Sequence, residues 1–245
     1  MNITNNTILI TGGASGIGSA LTQKLVAFNN KIIIVGRDKT KLEIAESFHP
    51  NISFFQCDIN SKEQLENLNI ELQNKYPDLN ILINNAAIQY NYYLTEESIP
   101  YTRIDSEINV NFTALVKLSA MLIPILNTKA NSAIINVSSG LAFSPKESAP
   151  VYCATKAAVH SFTEALRYQL KPTNIKVFEL IPPLTNTPMT SGRGDNKMSP
   201  EQVAEIFLKS FRNNIYEMNI GKTKLLRILL RLFPSFIKKK IRNSK

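Results

Sequence analysis

The sequence predicts an α/β fold of three layers: a parallel sheet of about seven strands, doubly wound so that helices cover both faces. Three observations predict it. Short apolar runs alternate with helical patterns along almost the whole chain, an arrangement that builds parallel sheets. A glycine-rich turn, Thr11-Gly12-Gly13-Ala14-Ser15-Gly16-Ile17-Gly18, joins the first strand to the first helix. Tyr152 stands four residues ahead of Lys156 where a long apolar helix begins, which puts both side chains on one helix face. The 245 residues suit one domain with a substantial core.

The first strand spans residues 7–10, and the helical pattern after the glycine turn runs to Phe28. Glycines let a backbone turn tightly against a pyrophosphate, which then sits on the helix N-terminus. The spacing here is Thr-Gly-x-x-x-Gly-x-Gly, unlike the Gly-x-Gly-x-x-Gly of other dinucleotide sites. The second strand, residues 31–35, ends in Gly36-Arg37-Asp38. A carboxylate at such a strand end binds ribose hydroxyls, whereas Arg37 suits a 2′-phosphate that it can pair bidentately. That favours NADP(H), with NAD(H) the alternative if Asp38 serves the ribose. Residues 39–48 read as a helix, 52–57 as a strand ending at Asp58, and 61–75 as a helix capped by Ser61. A fourth strand, 79–83, closes in Asn84-Asn85-Ala86-Ala87.

Residues 101–127 are helical, although Asn109 and Asn111 are poor interior helix residues and call for an explanation. A fifth strand, 133–137, ends in Ser138-Ser139-Gly140, and the stretch Val151–Lys156, bearing Tyr152 and Lys156, runs into an apolar helix over 157–170. The pair has a chemical use. A fixed ammonium about 5 Å from a phenol, at an effective dielectric of about 20, favours the phenolate by roughly 3 kcal/mol, about two pKa units. A sixth strand, 176–181, ends in Pro182-Pro183. Residues 184–200, rich in Thr, Asn, Gly and Ser, read as a loop positioned to act as a substrate lid. A helix over 200–211 and a short strand near 216–220 complete the domain, taken as residues 1–221.

Of 28 lysines and arginines, nine lie in residues 222–245 together with no acidic residue, so the preceding chain is electrically balanced. The main body is thus not a basic nucleic-acid-binding domain. The tail alternates apolar and basic residues, with Pro234 breaking it, and its apolar face is expected on a membrane interface, on the lid or on another subunit. Cys57 and Cys153 lack metal-ligand spacing and read as reduced thiols of a cytoplasmic protein. His49 and His160 show no partner pattern and read as a loop and a helix residue, so no metal site is expected. Residues 1–4 enter the first strand without a signal-peptide pattern, and no run of about 18 apolar residues marks a membrane span.

Thr11–Gly18, Asn84–Ala87, Asn111, Ser139, Tyr152-x-x-x-Lys156 and the segment Pro182 to Thr187 occur in order along residues 5–221. In this the chain resembles the short-chain dehydrogenase/reductase (SDR) family, a Rossmann-fold family, and within it most resembles the DltE-like branch through residues 134–143 and 150–156. The resemblance implies a tetrad. Tyr152 would be the acid/base, and Lys156 would lower its pKa and hold the nicotinamide ribose. Ser139 would bind the substrate oxygen, with Ser138 in the wall of the site, and Asn111 would help hold a water leading from Lys156. Gly12, Ser15, Gly16, Ile17, Gly18, Arg37, Asp58, Ile59, Asn85, Ala86, Pro182 and Thr187 would bind the cofactor. A homodimer or homotetramer is implied, as is hydride transfer to a small carbonyl compound without metal. Ala87 and Pro183 depart from the family's usual glycines. Two other functions stay open: a non-catalytic NADP(H)-binding sensor or scaffold, and a reductase of lipid-like substrates docked on the inner face of a membrane through residues 222–245.

Overall fold

The computed structural model describes residues 1–95 and 101–242. Strand β1 (Thr7–Thr11) leads through the glycine turn into helix α1 (Gly16–Val26), β2 (Lys31–Gly36), α2 (Lys39–Ser47), β3 (Ile52–Gln56), α3 (Lys62–Lys75) and β4 (Ile81–Asn84). Helix α4 (Tyr101–Ile108) continues through a π-helical turn (Asn109–Thr113) into α5 (Ala114–Asn127), followed by β5 (Ser132–Val137), α6 (Pro150–Gln169) and β6 (Ile175–Ile181). Then come α7 (Pro200–Arg212), β7 (Glu217–Asn219), α8 (Lys222–Leu232) and α9 (Pro234–Arg242). The predicted elements all form, most with ends moved by one or two residues, as expected where helices fray; the helix predicted over 157–170 instead begins at Pro150 and so includes Tyr152 and Lys156. Ser61 caps α3 by accepting from the Gln64 amide.

The seven strands form one sheet in the order β3-β2-β1-β4-β5-β6-β7, and each neighbouring pair is parallel. Because successive side chains on a strand point to opposite faces, each apolar run feeds two cores. Ile8, Ile10, Ile32 and Ile34 face one layer, where α1 and α7 pack with Phe207 and Phe211. Leu9, Ile33, Val35 and Leu82 face the other, against Leu65 and Leu72 of α3, Leu118 and Leu122 of α5, and Leu166 of α6. The composite helix Tyr101–Asn127 does reach the length and mean hydropathy, 1.5, of a membrane span, contrary to the expectation from the sequence. Its leucines Leu115, Leu118, Leu122 and Leu126 are instead buried in the domain, which accounts for the hydropathy.

The tail folds back onto the domain. Thr223 donates to the Ile181 carbonyl at 2.9 Å, and the Glu147 amide donates to the Arg242 carbonyl at 3.1 Å. Arg227 pairs with Glu217 and lies 4.7 Å over the Phe143 ring. One face of the tail therefore rests on the loop after β5. Residues 243–245 of the predicted tail lie outside the described residues.

Candidate active site

The crevice opens at the carboxyl ends of β1 and β4, where the strand order reverses, the usual ligand position in an open α/β sheet. The glycine turn is built for close approach. Gly16 has φ +52°, and a Cβ on Gly18 would lie 2.2 Å from the Gly12 carbonyl oxygen. Thr11 Oγ1 accepts from the amides of Asn85 and Ala86, each at 3.0 Å, and Asn85 Nδ2 donates to the Thr11 carbonyl at 3.0 Å. These bonds stitch the ends of β1 and β4 together beneath a cavity of about 310 Å³. At its outer end Arg37 and Lys41 stand with Asp58 and Ile59. Asp38 lines the same end of the cavity. It caps α2 by accepting from the Lys41 amide at 3.2 Å and pairs with Lys41 Nζ at 2.7 Å, and these bonds hold its carboxyl below the usual range. The glycine cradle and the two cations fit a nicotinamide dinucleotide, because α1 offers its N-terminal amides to a pyrophosphate.

At the inner end the cavity meets Tyr152, Lys156, Ser138, Pro182 and Thr187. Lys156 Nζ donates to the Val137 carbonyl at 2.8 Å and lies 5.8 Å from the Tyr152 ring centre. Burial pushes the Tyr152 hydroxyl up to about 12, with a Ser139 hydrogen bond pulling the other way. Burial also lowers the Lys156 ammonium to about 8, opposed by the charge of Glu179. The net direction at Tyr152 is thus upward, where the pattern alone implied a lowering, because desolvation is the largest cause. Behind Lys156 lies a buried network. Glu179, 1% exposed, accepts from Ser138 Oγ at 2.5 Å and bonds His160 Nδ1 at 2.8 Å. The bond to Glu179 raises the His160 pKa against the effect of its burial, and the Phe143 ring covers the imidazole edge-on at 4.7 Å.

The sequence profile described as short chain dehydrogenase matches residues 6–198. The chain belongs to the short-chain dehydrogenase family. It is 39% identical over 233 residues to a protein of Bacillus subtilis described as an uncharacterized oxidoreductase DltE, covering 93% of this chain and 92% of that one. Among solved structures it is similar to a Burkholderia cenocepacia short chain dehydrogenase in complex with NADP, with TM-score 0.87, 23% identity and 98% and 99% of the two chains covered. It is also similar to a Brucella melitensis 3-ketoacyl-(acyl-carrier-protein) reductase complexed with NADH, with TM-score 0.78, 26% identity and 85% and 91% covered. As an SDR oxidoreductase the chain has the Rossmann-type sheet expected of it.

Of the residues singled out in the SDR pattern, Gly12, Ser15, Gly16, Ile17, Arg37, Asp58, Ile59, Asn85, Ala86, Tyr152, Lys156, Pro182 and Thr187 line the cavity, whereas Gly18, Asn111 and Ser139 do not line it, Ser139 standing in hydrogen-bond contact with Tyr152. Asn111, buried at the π-helical turn, accepts from the Ile88 amide at 2.8 Å and donates to the Ile88 carbonyl at 2.9 Å. It also donates to Thr155 Oγ1 at 3.2 Å. An asparagine inside this helix is therefore a clamp on the chain leaving β4, and the π turn marks where the helix gives way to it. Ser139 accepts from the Leu141 amide at 3.2 Å. Sequence reasoning missed Lys41 and Glu179, the partner of His160. A carboxylate among the apolar residues 177–181 of β6 was the available signal for Glu179, since buried acids need partners.

Proposed function

We propose that the protein reduces a carbonyl to an alcohol with NADP(H), Tyr152 giving the proton. The observation that carries this is the convergence of Tyr152 and Lys156, both buried, at the inner end of a crevice whose outer end presents Arg37. The glycine turn and the start of α1 hold the diphosphate, Arg37 meets the 2′-phosphate, and Asp58 and Ile59 border the adenine. Asn85 and Ala86 shape the middle of the crevice, Lys156 holds the nicotinamide ribose, and Pro182 and Thr187 flank the ring. The bound nicotinamide supplies a hydride to the carbonyl carbon. Ser139 and Tyr152 orient the carbonyl oxygen, and a phenol raised to about 12 stays protonated at neutral pH, the form reduction requires. Residues 184–200 form the lid. It is closed at its base by Asn186 donating to the Met198 carbonyl at 2.8 Å, and it reaches the glycine turn through Thr187 beside Gly16. Both cysteines are buried and unpaired, consistent with a cytoplasmic enzyme.

The test is turnover of NADPH and NADH with a panel of ketones and aldehydes. Tyr152→Phe should lower kcat by about 10²–10⁴-fold while leaving NADPH binding in place. Binding without turnover in the parent enzyme would instead make the protein a nucleotide-binding sensor or scaffold.

The outer face of the tail supports a further reading of where the enzyme works. Leu225, Ile228 and Leu232, at helical spacing, are 51–62% exposed, and Phe233 and Phe236 continue the strip. Lys222, Lys224 and Arg231, with the run Lys238 to Lys240, border it without an acidic neighbour in the tail. Two copies of so cationic a face repel each other, whereas an anionic bilayer surface satisfies both its charge and its apolar strip. The full chain should co-sediment with phosphatidylglycerol vesicles, lose that on Leu225→Ser with Phe236→Ser, and ignore phosphatidylcholine. Self-association through this face, or equal behaviour of the variant, would overturn the docking.

A further inference from the structure

Three segments meet near Tyr152 through residues that do not line the cofactor crevice. The chain after β4 crosses the loop before α6, where the Tyr92 amide donates to the Ser148 carbonyl at 3.0 Å. The lid reaches the same chain, Arg193 Nη2 donating weakly to the Gln89 carbonyl at 3.5 Å. Their meeting leaves two cations in unusual positions. Lys146 is only 8% exposed, fixed by its own amide on Cys153 Sγ at 3.3 Å, one residue from Tyr152. Among the described residues no carboxylate pairs with it. Arg193 Nη1 is buried with no hydrogen-bond partner.

The acid nearest to hand is already used. Glu107, fully buried, accepts from the Tyr90 amide at 2.9 Å and from the Tyr92 hydroxyl at 2.9 Å. The charge of Arg193 acts on Lys146, lowering its pKa further after burial has done so, and reaches Tyr152 and Glu107 as well. These groups therefore share one neighbourhood. Buried cations are ordinarily paired, because an uncompensated charge taken from water is costly. Lys146 is nearly buried and Arg193 half-buried with one nitrogen buried and unpartnered; the two repel each other near Tyr152, and among the described residues no carboxylate forms an ion pair with either.

We propose that Lys146 and Arg193 bind the anionic group of the substrate, so that the enzyme acts on small carbonyl compounds carrying a carboxylate or a phosphate. This rests on the reduction reading above and names its substrate class. Arg193 lies in the lid and Lys146 on the loop before α6, so the anion also draws the lid towards Tyr152. The guanidinium supplies a planar fork and the ammonium a point charge, the combination that suits either oxyanion.

Matched pairs test it: levulinate against methyl levulinate, and dihydroxyacetone phosphate against dihydroxyacetone, each with NADPH. The expected result is kcat/KM about 10- to 100-fold higher for the anion in at least one pair, the range of a charged hydrogen bond. Which pair shows it separates carboxylate from phosphate. Lys146→Met and Arg193→Met should each bring the ratio towards one, and Lys146→Arg should keep it. Calorimetric titration of succinate and of inorganic phosphate into the protein saturated with NADP⁺ gives a readout independent of turnover. Binding of either that weakens about tenfold or more in both methionine variants supports the site. Anion binding without reduction of any ketone would remove the reduction reading and leave the site standing. Reduction without anion preference, or succinate and phosphate binding unaltered in both methionine variants, would overturn the site.

Discussion

Glu179→Gln probes the buried network behind Lys156 most directly. The side chain is isosteric, so packing survives and only the charge is removed. Glu179 holds two charge-assisted bonds, from Ser138 at 2.5 Å and with His160 at 2.8 Å. A hydrogen bond involving an ionised group contributes about 1.5–3 kcal/mol against about 0.5–1.5 for a neutral one. Losing the charge therefore costs about 1 kcal/mol at Ser138, whatever the pH. At His160 the cost depends on protonation. Its folded pKa is raised by Glu179 above the unfolded value of about 6.5. That contribution is fully present below the unfolded pKa and is lost as pH rises through the folded one. The imidazole is about a quarter exposed, with Glu217 and Arg227 also acting on it, which limits the term to about 1–2 kcal/mol. Urea unfolding of parent and variant between about pH 5.5 and 8.5 should then show a gap of about 2–3 kcal/mol in acid, narrowing to about 1 in alkali. In a His160→Gln background the gap should be flat. A gap that is constant in the His160 protein, or widens with pH, would refute the assignment of charge to this pair.

Other expectations are local. Arg37→Ser should raise the KM for NADPH about tenfold or more with little change for NADH; equal effects on both would remove Arg37 from the 2′-phosphate. Asn111→Leu strips the Ile88 amide and carbonyl of their partners and should cost about 2–4 kcal/mol in chemical denaturation, whereas a loss below about 0.5 would mean the clamp is unnecessary. A methyl group at Gly140 would sit 2.7 Å from Thr223 Cγ2 and 3.4 Å from Leu226 Cδ2. Gly140→Ala should thus loosen the seat of α8 by about 1–3 kcal/mol and speed tryptic cleavage within the tail, and an unchanged digestion rate would argue against that seat.

The layered fold was legible because parallel strands buried on both faces need near-continuous apolar runs, and 31–35, 133–137 and 176–181 are such runs. The crevice was legible because the chemistry of its turn demands glycine at fixed spacing. Lys41 escaped notice because it belongs to α2 and reaches the cavity only by lying one turn beyond Asp38. His160 and Glu179 escaped because they are brought together across a helix and a strand 19 residues apart, with no local pattern to announce them. The π turn at Asn109–Thr113 was equally hidden: composition marks two asparagines as odd, but only the position of Ile88 explains the second. The direction of the Tyr152 shift could not be read from the i, i+4 spacing, since spacing measures the charge nearby and not the water excluded.

Helix α6 connects these findings. Tyr152, Lys156 and His160 follow one another at four-residue intervals and so share a face, each meeting a different neighbour. Tyr152 meets Ser139, Lys156 the carbonyl that ends β5, and His160 the carboxylate of β6. An ammonium buried as deeply as Lys156 loses its charge readily, and here its pKa already lies near 8. Glu179 is the carboxylate that opposes this loss. It is held in place by bonds from the Ser138 hydroxyl and the His160 ring, so its position does not depend on Lys156 itself. A fixed negative charge behind the lysine preserves the positive one in front of it, while burial raises the pKa of Tyr152, farther along the face, and keeps it protonated at neutral pH. On this account the polar core of β6 is what lets a buried lysine remain a cation at neutral pH in a site built to exclude water.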